Sequence, residues 1–104
     1  MKCMVLEKFG APLVLAEREM PVAGNGEVVL KVGACGVCQT DLKVWNGKHP
    51  AVKHLPIVLG HEVAGEIVEA GPGVEKSHLG KHAVIFLYNT CGECRFCRDK
   101  RESL

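Results

Sequence analysis

Glycine and proline residues break the sequence into short apolar runs, and this punctuation limits the chain to folds made of short strands. Among its 104 residues are 12 glycines and 5 prolines, which form turn signals at residues 9–12, 21–26 and 71–73. The runs between the turns favour β-strands, which we predict at residues 2–7, 13–18, 27–33, 62–69 and 82–88. In the third run, Val28, Leu30 and Val32 alternate with other residues, which predicts a strand that buries this face better than the opposite one.

One stretch departs from this pattern and favours a helix. Thr40 and Asp41 are residue types that cap helix N-termini, and Leu42 and Trp45 are three positions apart, as on one face of a short helix. We therefore predict a short helix within residues 38–45. Several strands and one short helix indicate a mainly β fold, a small barrel or sandwich in a single domain.

The composition argues against several classes of partner. A formal net charge of +1 provides no basic surface for nucleic acid or an anionic membrane. No apolar run approaches the roughly 20 residues of a membrane-spanning helix, and the N-terminus has no signal-peptide pattern. We expect a soluble, cytoplasmic protein that binds neither nucleic acid nor a membrane. In that compartment clustered cysteines indicate metal ligands or redox thiols rather than disulfides.

Cys91, Cys94 and Cys97 follow one another with two residues between each pair, a strong metal-binding signature because thiolates are zinc ligands. A tetrahedral zinc site needs four ligands, and this cluster supplies three. Either a fourth ligand, such as His78, His82 or water, comes from elsewhere, or the sequence ends inside a metal-binding lobe. We expect this lobe to bind metal poorly or to be disordered after Cys97.

Two further motifs carry metal-ligating side chains. Cys35 and Cys38 form a CxxC motif, which is found in redox dithiols, in zinc sites and as pairs of buried thiols. The βαβ context of a redox dithiol is missing, so we take Cys38, near the predicted helix start, as a ligand and expect Cys35 to pack. His61 and Glu62 follow Gly60 and add an imidazole nitrogen and a carboxylate oxygen. With Cys38 they would give zinc an incomplete and therefore reactive coordination sphere.

A dinucleotide-binding fingerprint is missing from the sequence. Gly24 and Gly26 precede a predicted strand rather than a helix, and Val29 stands at the position of the third glycine. We therefore expect this chain to hold no nicotinamide cofactor in the usual way.

Taken in order, three segments resemble the N-terminal catalytic domain of the zinc-dependent medium-chain alcohol dehydrogenases. They are GEVVLKVGACGVCQTDLKVWNG, LPIVLGHEVAGEIVEAGPGV and CGECRFC. The resemblance covers essentially the whole chain and implies a GroES-like, partly open β-barrel with a short helix and a zinc-binding loop. It also implies that residues 1–104 are this domain, truncated within the structural-zinc lobe, and that the Rossmann cofactor domain is absent.

The resemblance implies roles for matching residues of the catalytic site. Cys38 and His61 would ligate the catalytic zinc, with Glu62 as the adjacent carboxylate that can exchange onto the metal. Thr40 would hydrogen-bond the substrate alcohol and begin a proton relay. Asp41 would orient the ligand histidine, which fixes its tautomer and raises its basicity.

Other positions extend the resemblance or depart from it. Trp45 would line the substrate pocket, and Cys91, Cys94 and Cys97 would be three of the four thiolates of a structural zinc. Lys43 stands where many relatives have the histidine of the outer proton relay, so this chain departs from the family at that step.

The implied reaction is the zinc-polarised oxidation of an alcohol, or reduction of a carbonyl, with hydride transfer to NAD or NADP held by a neighbouring domain. The full enzyme is expected to act on a small-molecule substrate and to be a homo-oligomer, and the 104-residue chain alone is expected to be inactive and prone to self-association. Two alternatives remain: a stand-alone zinc-binding interaction module, and a thiol redox protein that cycles Cys35 and Cys38.

Overall fold

The computed structural model describes residues 1–88 and 90–101. Within that part of the chain it contains six strands, two short α-helices and a 3-10 helix at Lys76–His78. The strands are β1 (Lys2–Leu6), β2 (Val14–Glu17), β3 (Val28–Gly36), β4 (Ile57–Val58), β5 (Glu62–Ala70) and β6 (His82–Val84). The α-helices are α1 (Gln39–Trp45) and α2 (Arg95–Arg98). The fold is therefore mainly β, as predicted.

The strands form two antiparallel three-stranded sheets, in the orders β2–β1–β4 and β3–β5–β6. Over the described residues these sheets do not close into a barrel, which agrees with a partly open architecture. Gly36, the last residue of β3, pairs with Glu62, the first residue of β5. The chain therefore leaves β3 towards Cys38 at the same end of the sheet at which it enters β5 from His61.

The predicted buried face of β3 is wrong. Val29 is 8% exposed, whereas Val28 and Val32 are 41% and 61% exposed. The pairing of β3 with β5 shifts between Val29 and Leu30, and again between Val32 and Ala34. Irregularities of this kind turn the strand, so a simple alternation in the sequence does not identify its buried side.

Strand β6 is shorter than the predicted run of residues 82–88. It ends at Val84, and the apolar side chains that follow are exposed, with Ile85 at 51%, Phe86 at 67% and Leu87 at 57%. The apolar residues of this run after Val84 therefore form an exposed segment and are not part of a buried strand.

The apolar core is small. The structure buries the side chains of Val5, Leu6, Ala23, Val29, Val44 and Ile67. Val44 is the buried apolar residue of α1, so this side chain fixes the helix in the core and with it the residues at the helix N-terminus. None of the helices in the described part of the chain is both long and apolar enough to cross a bilayer.

Candidate metal centre

The thiol of Cys38 caps the N-terminus of α1. Cys38 has extended backbone angles (φ −125°, ψ 179°), and its Sγ accepts a hydrogen bond from the Thr40 N–H at 3.2 Å. In return, Asp41 Oδ2 accepts a hydrogen bond from the Cys38 N–H at 2.9 Å. This is a capping box with cysteine in place of the usual serine or threonine. The prediction of Thr40 or Asp41 as the capping residue is wrong, because the helix begins at Gln39.

Cys38 and His61 lie next to each other at the end of the sheet where β3 ends and β5 begins. Cys38 Sγ lies 3.1 Å from His61 Nε2, and both residues are half-buried. Thiolate and imidazole ligands of a tetrahedral zinc are separated by about 3.5 Å. The pair therefore fits a shared zinc after its side chains move apart by a few tenths of an ångström.

Asp41 supports His61 on the side of the ring away from Cys38. Asp41 is 7% exposed, and its Oδ1 lies 3.4 Å from His61 Nδ1. The same oxygen accepts a hydrogen bond from the Gly60 N–H at 3.2 Å. A proton on Nδ1 facing Asp41 leaves the Nε2 lone pair free towards Cys38, which is the tautomer that a metal-ligating histidine requires.

Gly60 gives the chain the turn that places His61. Its φ of 110° lies in a region that L side chains rarely adopt, and a methyl group at this position would lie 2.7 Å from Cys35 Sγ. Cys35 is exposed, so the expectation of a packed core thiol is wrong. Its Sγ lies against Gly60 and donates towards the Gly36 carbonyl oxygen at 3.5 Å.

Thr40 and Glu62 complete an open cleft beside Cys38 and His61. Potential ligand atoms of Cys38, His61 and Glu62 all lie within 4.8 Å of one another, and the cleft has a volume of about 500 Å³. Apolar side chains form its remaining wall: Val63, Val84, Ile85 and Leu87. A cysteine sulfur, an imidazole and a carboxylate beside open space are the kinds of donor found at catalytic zinc sites, which keep one position free.

Trp45 lies outside this cleft. Its indole Nε1–H donates to the Ala11 carbonyl oxygen at 2.7 Å, and the ring lines a second, apolar cavity of about 470 Å³ with Leu13, Val37 and Leu42 among its walls. No sequence pattern pointed to this cavity, because its walls come from separate segments that only the fold brings together.

Cys91, Cys94 and Cys97 also come together. Cys97 Sγ lies 3.9 Å from Cys91 Sγ and 3.5 Å from Cys94 Sγ. Two thiolates on a tetrahedral zinc are separated by about 3.8 Å, so both distances are close to those of such a site, and all three sulfurs lie within 4.8 Å of one another. In the described part of the chain neither His78 nor His82 belongs to this group.

Helix α2, which the sequence patterns did not predict, closes the cysteine loop with Cys94 as its N-cap. The backbone N–H groups of Glu93 and Cys94 lower the pKa of Cys91 to about 7, which favours the thiolate form that binds metal. A hydrogen bond with Cys94 raises the pKa of Cys97. The loop therefore presents at least one thiol that is prepared for metal binding near neutral pH.

The chain after Cys97 is described as far as residue 101. Residues 98–101 form the end of α2 and a turn in which Lys100 has a φ of 55°. The expectation of disorder after Cys97 also concerns residues 102–104, which lie outside the described residues.

Known proteins are similar to this chain in sequence and in fold. An alcohol dehydrogenase from Geobacillus stearothermophilus is 43% identical over 105 residues, covering 100% of this chain and 31% of that protein. The L-threonine 3-dehydrogenase of Thermococcus kodakarensis is 41% identical over 95 residues, covering 89% of this chain and 27% of that protein. The structure of acetophenone reductase from Geotrichum candidum in complex with NAD superposes with a TM-score of 0.82 at 36% identity, covering 94% of this chain and 29% of that chain.

The chain thus spans less than a third of the length of these relatives. The profile of the family described as "Alcohol dehydrogenase GroES-like domain" matches residues 24–104. That range contains both groups of potential metal ligands. The chain belongs to the alcohol dehydrogenase GroES-like domain family.

Proposed function

We propose that this chain is the zinc-binding N-terminal catalytic part of an NAD- or NADP-dependent alcohol dehydrogenase. The observation that carries the proposal is the 3.1 Å approach of Cys38 Sγ to His61 Nε2, with Asp41 behind the imidazole ring. Relatives named alcohol dehydrogenase, L-threonine 3-dehydrogenase and acetophenone reductase support a reaction at a CH–OH group or its carbonyl. The NAD complex of the last relative supports a nicotinamide as the hydride acceptor.

Cys38 and His61 would hold the zinc, with Glu62 as the neighbouring carboxylate. When bound, zinc would supply a Lewis acid that lowers the pKa of the substrate alcohol. The chain's own contribution begins with Asp41, which keeps His61 in the ligating tautomer and is itself held by the backbone N–H groups of Cys38 and Gly60.

Thr40 is the residue that would handle the substrate proton. Its backbone N–H is bound to Cys38 Sγ, so its side chain stays beside the ligand thiol and lines the cleft. The hydroxyl accepts the proton of the substrate alcohol through a hydrogen bond and donates its own proton outward. Lys43 is exposed and its ammonium group has no acceptor, so the proton passes from Thr40 to solvent without a histidine.

The cysteine loop would have a structural role. Its three sulfurs match a closed, thiolate-rich zinc site, and none of them faces the cleft of Cys38 and His61. Structural zinc sites are of this closed kind, whereas catalytic sites keep an open position. We therefore assign the chemistry to Cys38, His61 and Glu62.

Zinc affinity of two cysteine variants tests the catalytic site. Cys38→Ser removes the proposed ligand, whereas Cys35→Ser changes the other, exposed thiol of the same CxxC motif. Both are made in a chain that also carries Cys91→Ser and Cys97→Ser, so that one site remains. We expect Cys38→Ser to weaken zinc binding by at least about 10-fold and Cys35→Ser to leave it unchanged, measured by competition with a chromophoric chelator. Equal affinities of the two variants would overturn the proposed site.

The 104-residue chain is expected to be inactive by itself. It has no glycine fingerprint for a dinucleotide, so we expect it not to bind the hydride acceptor in the usual way. The measurement is alcohol-dependent formation of NADH or NADPH by the purified chain. Turnover that survives removal of every longer form would contradict this assignment.

A further inference from the structure

Glu62 lies over a position that has no side chain. Gly36 pairs with Glu62 across β3 and β5, and a methyl group at position 36 would lie 2.2 Å from Glu62 Oε2 and 3.3 Å from its Cδ. Ordinary contacts between nonbonded heavy atoms begin at about 3.5 Å. The carboxyl group therefore occupies the space that any side chain at position 36 would need.

This place is also the one from which Glu62 reaches the proposed metal. A carboxylate oxygen of Glu62 and the ligand atoms of Cys38 and His61 lie within 4.8 Å of one another. Glu62 is itself exposed, and among residues 1–88 and 90–101 its carboxylate takes part in no salt bridge. The empty space above Gly36 is the feature that admits it.

We propose that Gly36 is a positioning residue, whose missing side chain sets the distance between the Glu62 carboxylate and the metal site. The inference rests on the proposed function, because it takes Cys38 and His61 as metal ligands. A methyl group at position 36 displaces the carboxylate by more than about 1 Å, which is enough to remove it from the ligand set.

Another glycine of the same strand provides the matched control. A methyl group at Gly33 would lie 3.7 Å from the Ala64 carbonyl oxygen and 3.9 Å from the Gly65 Cα, both ordinary contacts. Gly33→Ala therefore makes the same chemical change in β3 without touching Glu62. Of the two glycines in β3, only Gly36 therefore leaves no room for a methyl group, and the group that it faces is the Glu62 carboxylate.

One part of the Gly36→Ala effect is structural and must be separated. The methyl group would also lie 3.0 Å from Glu62 Cβ, which presses β3 and β5 apart by a few tenths of an ångström whatever the carboxylate does. Glu62→Ala keeps this Cβ and removes the carboxylate. The double variant Gly36→Ala with Glu62→Ala therefore carries the strand contact alone.

The test uses cobalt(II) as a spectroscopic probe of the site, in a chain whose cysteine loop is disabled by Cys91→Ser and Cys97→Ser. We expect Glu62→Ala and Gly36→Ala to shift the visible absorption bands of cobalt alike and to lower zinc affinity on the order of 10-fold each. The double variant is expected to go no further than either single variant, and Gly33→Ala is expected to match the unchanged site.

The outcomes separate the two proposals. A Gly36→Ala spectrum equal to that of Gly33→Ala overturns the positioning role. So does a Gly36→Ala shift that persists in full when Glu62 is already alanine, because the carboxylate would then not mediate it. Absence of a thiolate-to-cobalt band that depends on Cys38 overturns the proposed function, and this inference with it.

Discussion

The carboxylate of Asp41 connects the helix cap to the proposed ligand histidine. Oδ2 accepts the Cys38 N–H at 2.9 Å, while Oδ1 accepts the Gly60 N–H at 3.2 Å and lies 3.4 Å from His61 Nδ1. Asp41 is also the buried charged residue of the described chain. A buried carboxylate is tolerated when donors surround it, and here the donors belong to residues in or next to the proposed metal site.

Asp41→Asn is expected to weaken both the metal site and the fold. The amide nitrogen would face one of the three donors now shared between Cys38, Gly60 and His61, and an unsatisfied buried donor costs about 1–3 kcal/mol. Zinc affinity is expected to fall by about 10–100-fold, as for other residues that orient a ligand. Urea unfolding and chelator competition measure the two effects.

Glu7→Gln is the control for Asp41→Asn, because Glu7 is an exposed acid just after β1. It is expected to change stability by less than about 0.5 kcal/mol and to leave zinc affinity unaltered. If Asp41→Asn behaved like this control, the orienting role of Asp41 would be refuted.

At the scale of the element, α1 buries two side chains, Asp41 and Val44, of which only Val44 is apolar. The helix has seven residues, too few to be stable alone, and Val44 is 6% exposed whereas Leu42 is 49% exposed. We therefore expect burial of Val44 to stabilise the helix, which in turn places Cys38.

Val44→Ala is expected to destabilise the chain by about 2 kcal/mol, from the loss of buried methyl groups and the space they leave. Leu42→Ala, in the same helix, is expected to cost less than about 1 kcal/mol because half of that side chain is already in solvent. Urea unfolding of both variants provides the comparison. Equal losses would show that the burial of Val44 does not set the stability of α1, because alanine is the better helix former at both positions.

The sequence patterns predicted the order of most elements but not the details that depend on pairing. Alternating polarity located β3, yet the register shifts near Val29 and Val32 moved its buried face. The chemical types of Cys38 and His61 were enough to predict them as candidate ligands without any geometry. Their 3.1 Å approach, and the space above Gly36, follow from the pairing of β3 with β5, which no local pattern encodes.

The cysteine lobe, residues 90–101, is expected to open independently of the sheets. Helix α2 has no buried residue, so the described contacts that close the lobe are mainly those among its sulfurs and its own backbone. We expect backbone amides of the metal-free lobe to exchange hydrogen rapidly, and saturating zinc to slow them while β3 and β5 stay unchanged. Exchange in the lobe that ignored zinc would contradict metal binding there.

At the scale of the whole molecule, the chain exposes more surface than its mass requires. Its accessible area is 8018 Å², whereas a compact monomer of 11.3 kDa exposes about 5,700 Å². The radius of gyration is 15.7 Å, against about 13 Å for a compact domain of this length. The excess of about 2,300 Å² is larger than the roughly 800 Å² that each partner buries in a stable interface.

Part of this excess surface consists of exposed apolar side chains. Val37 is 82% exposed, and an exposed segment that starts at the last residue of β6 contains Val84 at 79% and Phe86 at 67%. Contiguous apolar surface of this kind marks an interaction site or a tendency to aggregate. We therefore expect the 104-residue chain to self-associate as its concentration rises, with a sedimentation coefficient that increases accordingly.

Phe86→Glu separates association through this segment from a general loss of folding. The substitution places a charge where Phe86 is already exposed, so it is expected to reduce association and to leave unfolding by urea nearly unchanged. Lys53→Glu changes an exposed residue outside this segment. It alters the net charge more than Phe86→Glu does, yet it is expected to have little effect on association. A sedimentation coefficient that stays the same at all concentrations would contradict the prediction of self-association. If both variants reduced association equally, net charge and not contact through the apolar segment would explain the effect, because Lys53→Glu leaves that segment unchanged.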